Sequence, residues 1–343
     1  MEKGEAAIIT GGADRFYFTG FNSSAGTLII TRGRAFFLID FRYFEKAKQV
    51  VKSAEVILLS NLYNQINELL NGENINTVYL DIAEVNIEAF LNLKNALSPI
   101  EVSSSNKISK VITELRSVKD SFEIENIKAA QSITDEVFSY ILNKIELGKT
   151  EREIALDLEF FARKKGSDGV AFDFIVVSGK NSSLPHGVPT EKQLKKGDFV
   201  TMDFGARVNG YCSDMTRTVA LKGLSDEQKT VYNIVLEAQN RAFEKIKPNA
   251  VCYEVDAAAR EYIDKFYPGT FGHALGHSLG IDIHERPSFN TRDNTVLKSG
   301  TVITVEPGIY IENRFGVRIE DTVIVTNTGY ENIAKSPKEL III

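Results

Sequence analysis

The stretch Thr201-Met202-Asp203-Phe204-Gly205-Ala206-Arg207-Val208-Asn209-Gly210-Tyr211-Cys212-Ser213-Asp214 decides the fold of the second half of this chain. Its Asn209-Gly210 step is a strong signal for a two-residue hairpin, because both residues tolerate the positive φ such a turn needs. Val208 then pairs with Tyr211, and counting back sets Asp214 opposite Gly205, on the face of Asp203 two residues along. Diagonal neighbours in a sheet lie roughly 7–8 Å apart at the backbone. The two carboxylates therefore address one volume, and without a counter-charge they repel.

A second pair of acids sits in Thr301-Val302-Ile303-Thr304-Val305-Glu306-Pro307-Gly308-Ile309-Tyr310 and Gly316-Val317-Arg318-Ile319-Glu320-Asp321-Thr322-Val323. Each run is β-branched and apolar around its acid. If the loop from Glu312 to Gly316 joins them, Ile311 pairs with Val317, and the even register places Glu306 and Glu320 on one face. One acid on an edge strand is ordinary solvation, whereas four in this arrangement call for shared positive charge.

The chain has only four histidines, His186, His273, His277 and His284, the last three close together. Gly272-His273-Ala274-Leu275-Gly276-His277-Ser278-Leu279-Gly280 is too glycine-spaced for a helix interior and reads as strand or turn. Gly276-His277-Ser278-Leu279-Gly280 also matches the nucleophile elbow of serine esterases, but no acid and distant histidine follow in the required order. His284-Glu285 lacks the second histidine of a helical zinc-protease motif. Asp203, Asp214, His277, Glu306 and Glu320 remain as a set of ligands whose mutual repulsion two divalent cations would relieve, which is the pattern of a two-metal hydrolase.

Composition bounds the alternatives. A length of 343 residues suggests two domains, and a net charge of −6 gives no basic footprint for nucleic acid or an anionic membrane. No apolar run approaches the ~20 residues of a membrane span, and Met1-Glu2-Lys3-Gly4-Glu5 lacks the order of a signal peptide. A cytoplasmic protein is expected. Cys212 and Cys252 are too few for a disulfide framework and are expected to be reduced.

The first part alternates short strands (Ala6 to Thr10, Tyr17 to Phe21, Gly26 to Thr31, Ala35 to Asp40) with helical stretches near Tyr43 to Ser53 and Asn61 to Leu70, a small α/β domain over residues 1–114. Residues 115–343 carry longer amphipathic helices between strand pairs, an α+β domain. Thr150 with Glu153, and Ser225 with Gln228, form capping boxes ahead of two of those helices.

With these residues in hand, the chain resembles the pita-bread metallopeptidases, closest to the Xaa-Pro dipeptidase (prolidase) and Xaa-Pro aminopeptidase branch. The likeness rests on Leu184-Pro185-His186-Gly187, the Asp203 and Asp214 hairpin, Gly276-His277, His284-Glu285, Glu306-Pro307-Gly308 and Gly316-Val317-Arg318-Ile319-Glu320-Asp321. In the first domain it rests on Tyr17-Phe18-Thr19-Gly20-Phe21 and Asp40-Phe41-Arg42-Tyr43, and at the junction on Leu115-Arg116 with Lys119. The resemblance implies a pita-bread (creatinase/aminopeptidase-like) catalytic domain behind a creatinase-type N-terminal domain. It also implies that Asp203 chelates one metal, Asp214 and Glu320 bridge two, and His277 with Glu306 hold the other. Manganese or cobalt is the family's common choice, and the hard oxygen donors favour such ions, with zinc the remaining candidate.

On this reading a hydroxide bridging the two metals attacks the carbonyl before a proline nitrogen, in Xaa-Pro dipeptides or at the N-terminal Xaa-Pro of short peptides. Glu306 would move the proton, and His284 and His186 would steady the carbonyl oxygen and the scissile amide. His273 would line the pocket beside the proline ring, and Arg318 would orient the bridging carboxylates or the substrate. A homodimer is expected from the family alone. The alternatives are a methionine aminopeptidase-like specificity, a metal-independent creatinase-like enzyme, or a non-enzymatic pita-bread binding module. Relatives often carry glycine where Ser278 follows His277, and many begin with a helix ahead of the first strand, which here arrives at Ala6.

Overall fold

Runs such as Ala6-Ala7-Ile8-Ile9 and Ala35-Phe36-Phe37-Leu38-Ile39 are apolar at nearly every position, the pattern of strands buried on both faces. The computed structural model describes residues 1–343 and divides into two compact units, Met1–Leu115 and Arg116–Ile343. The first unit contains β1 (Glu5–Ile9), α1 (Gly12–Thr19), β2 (Thr27–Ile30), β3 (Ala35–Ile39), α2 (Phe41–Val50), β4 (Glu55–Leu58), α3 (Leu62–Gly72), β5 (Thr77–Leu80), α4 (Ile87–Ala96) and β6 (Glu101–Ser103), followed by α5 (Lys107–Ser117). Its strands form one sheet in the order β4-β3-β2-β1-β5-β6. Alternation then sorts the side chains: Ala6 and Ile8 pack with Ile66, Leu70 and Leu93, while Ala7 and Ile9 pack with Ala47, Val51, Ile108 and Ile112.

The stretch Tyr17 to Phe21, expected as a strand, is instead the end of α1 and its cap. Gly20 takes φ 66° and its N–H donates to the Phe16 carbonyl at 2.7 Å, a left-handed stop that glycine adopts without a Cβ penalty. The aromatic run has strand propensity, but the four-residue spacing of buried Arg15 and Thr19 is helical.

The second unit opens with α6 (Ser121–Ile141) and α7 (Glu151–Lys164), then β7 (Gly169–Val170), β8 (Ile175–Ser178), β9 (Phe199–Phe204), β10 (Ala206–Val208), β11 (Tyr211–Cys212) and β12 (Met215–Ala220). The same order then recurs: α8 (Asp226–Phe243), α9 (Cys252–Asp264), β13 (Gly276–Ser278), β14 (Glu285–Phe289), β15 (Val302–Val305), β16 (Gly308–Ile311), β17 (Phe315–Arg318) and β18 (Asp321–Val325), closed by β19 (Tyr330–Asn332). Capping boxes start α7 and α8 at Thr150 and Ser225, and a third starts α6 at Asp120 with Glu123. No helix is long and apolar enough to cross a membrane.

Each half is organised around one long, interrupted hairpin. In the first, Asn209 and Gly210 turn the chain with φ 47° and 83°, and a single register runs from Val208–Tyr211 through Phe204–Met215 to Phe199–Ala220. The ladder breaks at Gly205, where an added Cβ would stand 1.9 Å from the Ser213 carbonyl oxygen. There the Ala206 N–H donates to the Ser213 side chain at 2.9 Å.

In the second hairpin Ile311 pairs with Phe315, not with Val317 as the loop length suggested. The turn is shorter by two residues because Asn313 takes φ 57° and tightens it. A slip of two conserves every face. The observed register runs from Gly308–Arg318 to Val305–Asp321, so Glu306 and Glu320 face one another at the break between.

Candidate active site

The breaks free backbone groups for other partners, and the two hairpins meet along β12. Glu306 donates its N–H to the Leu275 carbonyl at 2.7 Å, and Glu320 donates its N–H to Thr216 of β12 at 3.1 Å. Thr218 of β12 donates its hydroxyl to the Arg318 carbonyl at 2.8 Å. Asp203 and Asp214 from the first hairpin thereby meet Glu306 and Glu320 from the second. His277 enters from β13, which takes strand geometry because Gly276 lies against the Thr304 carbonyl, 1.9 Å from where a Cβ would stand.

The ligating atoms of Asp214, His277 and Glu320 lie within 4.8 Å of one another, and His277 Nε2 stands 3.5 Å from both Asp214 Oδ2 and Glu306 Oε1. Only part of this set is satisfied by the protein. Glu320 Oε2 accepts from the Thr216 hydroxyl at 2.7 Å and Asp203 Oδ2 from the Arg318 guanidinium at 2.7 Å, while Asp203 Oδ1, Asp214 Oδ1 and Glu320 Oε1 are buried without any hydrogen-bond partner. Such oxygens are costly unless something positive faces them.

Protonation follows from this crowding. Burial, then the charges of Glu320 and Asp203, push Asp214 well above the ordinary carboxylate range, and burial with Glu306 and Asp203 does the same to Glu320. Burial raises Glu306 to about 8, Asp203 adding to the effect and Arg318 opposing it. His277 is pushed the other way, to about 4, by burial and by His284. Its Nδ1 lies 3.2 Å from the Ser278 carbonyl, which can only accept, so that nitrogen carries the proton and Nε2 turns its lone pair on the carboxylates. An imidazole nitrogen facing crowded acid oxygens that hold their protons only for want of a counter-charge is the donor set of a cation site. Its oxygen and imidazole atoms, without sulfur, fit a divalent ion of the manganese, cobalt or zinc type.

The remaining histidines fall into two kinds. His186 is exposed and His284 partly so; the rings of His284 and His277 lie 4.3 Å apart, and partial desolvation of its ring, with the charge of His186, lowers the pKa of His284. His273 is committed at both nitrogens: Nδ1 bonds the Ala274 carbonyl at 2.8 Å and Nε2 the Tyr310 hydroxyl at 2.9 Å. Burial and Arg318 lower it to about 3, which keeps it neutral, with its ring as a wall.

Arg318 is buried, and it holds Asp203 while also donating to Thr216, Tyr310 and the Pro185 carbonyl. It was expected to orient the bridging acids or the substrate, and its carboxylate partner is Asp203. Burial opposes its charge, but Tyr310, Asp203 and Glu306 more than compensate, so it stays charged.

Tyr310, Thr216 and Thr304 escaped the sequence reading. A signal for Tyr310 was present: Glu306, Gly308 and Tyr310 alternate on one face, and Gly308 and Gly316 leave room for its ring, a Cβ on either coming within 2.8 Å of it. Ser278 is buried in β13 and accepts from Lys119 Nζ at 2.9 Å, so it lacks the exposed strand-to-helix turn of an esterase nucleophile. Lys119 also pairs with Glu285 at 3.1 Å, and Arg116 with Glu285 at 2.6 Å, a buried charge cluster beside His284.

Residues 125–327 match the metallopeptidase family M24, and residues 2–118 match the creatinase/prolidase N-terminal domain. The chain is 38% identical to a Xaa-Pro dipeptidase of Pyrococcus furiosus over 95% of this chain and 92% of that one. Among solved structures it is similar to a Xaa-Pro dipeptidase from Bacillus anthracis (TM-score 0.95, 41% identity, 98% of this chain and 95% of that one). It is also similar to an X-Pro aminopeptidase from Thermotoga maritima (TM-score 0.93, 36% identity, 99% and 97%). Such likeness over both units makes the chain a member of metallopeptidase family M24, with a creatinase-type N-terminal domain ahead of a pita-bread catalytic domain.

Proposed function

We propose that this chain hydrolyses the peptide bond preceding proline, in Xaa-Pro dipeptides or at the N-terminal Xaa-Pro of short peptides, with two divalent ions, manganese or cobalt. The observation that carries the reading is the set of buried, unpartnered oxygens on Asp203, Asp214 and Glu320 beside His277 Nε2. The names of the relatives from Pyrococcus furiosus and Bacillus anthracis supply the substrate class. Asp203 would hold one ion, Asp214 and Glu320 would be shared, and His277 with Glu306 would hold the other. When bound, the ions supply a nucleophile from water near neutral pH and polarise the scissile carbonyl.

The protein's own groups do the rest. Glu306, with its affinity for a proton raised by burial, takes the proton from water and passes it to the departing prolyl nitrogen, which leaves poorly as an anion. His284, depressed toward the neutral form, donates to the carbonyl oxygen as charge develops there. His186 holds the scissile amide from the open side. The ring of His273 bounds the volume beside the proline, and Arg318 keeps Asp203 turned inward.

The test is hydrolysis of a Xaa-Pro dipeptide, a Xaa-Pro-Xaa tripeptide and a Xaa-Ala control by metal-stripped protein before and after addition of manganese, cobalt or zinc. Metal-dependent cleavage confined to the proline substrates supports the proposal. Turnover that survives chelation, or that ignores proline, overturns it. The reading includes a homodimer, which sedimentation of the same preparation checks.

A further inference from the structure

Glu151, the first residue of α7, is fully buried, yet its carboxylate forms no ion pair. All its acceptor capacity is spent on one segment. Oε1 accepts from the Ser178 N–H at 2.7 Å, the Ser178 hydroxyl at 2.8 Å and Asn181 Nδ2 at 3.1 Å. Oε2 accepts from the Thr190 N–H at 3.1 Å, the Thr190 hydroxyl at 2.6 Å and Asn181 Nδ2 at 3.2 Å. These donors stand at the two ends of the segment 178–190, which carries His186. The segment has one turn of 3-10 helix, over Gly179–Ser183, and no other regular structure to stiffen it.

The middle of the same segment is fixed from the other side, by Arg318 donating to the Pro185 carbonyl at 3.1 Å and the Gly316 N–H donating to the Ser182 hydroxyl at 2.9 Å. The imidazole of His186 makes no hydrogen bond of its own, so its place over the site is set by the backbone that carries it. A carboxylate at the first position of a helix is favoured by the helix dipole, and this one is met by several donors from a single segment.

We propose that Glu151 is a positioning residue for the peptidase reaction: a buried acceptor that closes the loop 178–190 and thereby aims His186 at the scissile amide. This deepens the proposed function and rests on it for the role of His186. Glu151→Gln is the sharpest probe, since it keeps the shape but turns one acceptor into an N–H donor facing donors.

The experiment combines kinetics of manganese-loaded wild type, E151Q, H186A and the double variant on a Xaa-Pro dipeptide with NMR of the histidine ring protons of the same proteins loaded with diamagnetic zinc, the His186 signal being assigned by its loss in H186A. A displaced loop should lower kcat by about ten- to a hundredfold in E151Q. Metal content should be unchanged, and T190V, which keeps the fold milder to disturb, should show a smaller loss. In the H186A background E151Q should cost less than about twofold more, because coupled groups are not additive. The His186 ring signal should move in E151Q while that of His277 stays. An equal loss with and without His186, an unchanged kcat, or an unmoved His186 signal would overturn the proposal. If wild type does not cleave Xaa-Pro peptides, the functional reading fails, and the NMR arm still decides whether Glu151 sets His186.

Discussion

The two interrupted hairpins each give two acids to the site, but they hold them by different means. In the first, Asp203 is gripped by the buried guanidinium of Arg318, a residue of the second hairpin. In the second, Glu320 receives only the neutral hydroxyl of Thr216, a residue of the first, and Glu306 only a long contact of 3.4 Å from Thr304. Each hairpin thus serves the other's acid, and just one of the four acids has a full cation. The difference shows where the protein supplies its own charge and where it leaves charge to be supplied from outside.

The largest effects should come from the side left unpaired. Glu306→Gln keeps the fold but removes the group proposed to move protons, and kcat should fall by about 10²–10⁴-fold, the usual range for a general acid-base residue. Measured on a Xaa-Pro dipeptide with metal content monitored, a smaller loss would assign the proton transfer elsewhere. Arg318→Ala strips the one internal cation and should destabilise the metal-loaded protein by about 3–5 kcal/mol, as breaking a buried pair does. Thr216→Val, which removes a neutral partner, should cost only about 1–3 kcal/mol. Urea denaturation of the two variants compares the two modes of holding directly, and equal losses would erase the distinction.

The pH dependence sharpens the same comparison. The pKa of Glu306 rises from an ordinary 4.5 to about 8 in the metal-free protein, and Asp214 and Glu320 move in the same direction. Because the folded value lies above the unfolded one, the folded state binds the extra proton. That stabilisation is complete below the unfolded value and is lost as pH rises through the folded one. Metal-free protein should therefore melt highest in mild acid and progressively lower toward about pH 9. Ions must displace these protons, so metal affinity should rise over the same window. Thermal melts across that range with and without manganese check both slopes.

The smallest effects lie in the turns. Gly210 at φ 83° and Asn313 at φ 57° both hold left-handed backbone. Either one changed to alanine should cost about 1–2 kcal/mol, read by thermal melts and without change in the metal content of the folded protein.

Those two turns also explain what was legible in the sequence. Asn209-Gly210 names its turn type, so the first register could be read residue by residue. The second turn announces itself only through Asn313, an ordinary loop residue until its backbone is seen, and the expected pairing was displaced by two. The faces survived because the shift was even. Strand patterns on either side of Glu306 and Glu320 were clear, but the partners that hold the acids were not. Thr216, Thr304 and Tyr310 are common strand residues whose roles depend on which strands meet across the two hairpins. Helix α1 was hidden by aromatic side chains that favour strands locally and pack here on a helix.

The central claim is that the acid cluster is assembled against its own repulsion for the sake of bound cations. Thermal melts of wild type and Asp214→Asn, each metal-free and with manganese, test it most directly. The account predicts that metal-free Asp214→Asn melts above metal-free wild type near neutral pH, because folding no longer has to bury a charge or take up a proton at that position, and that manganese raises the wild type far more than the variant. A variant that melts lower without metal, together with a wild type that manganese leaves unmoved, would contradict it.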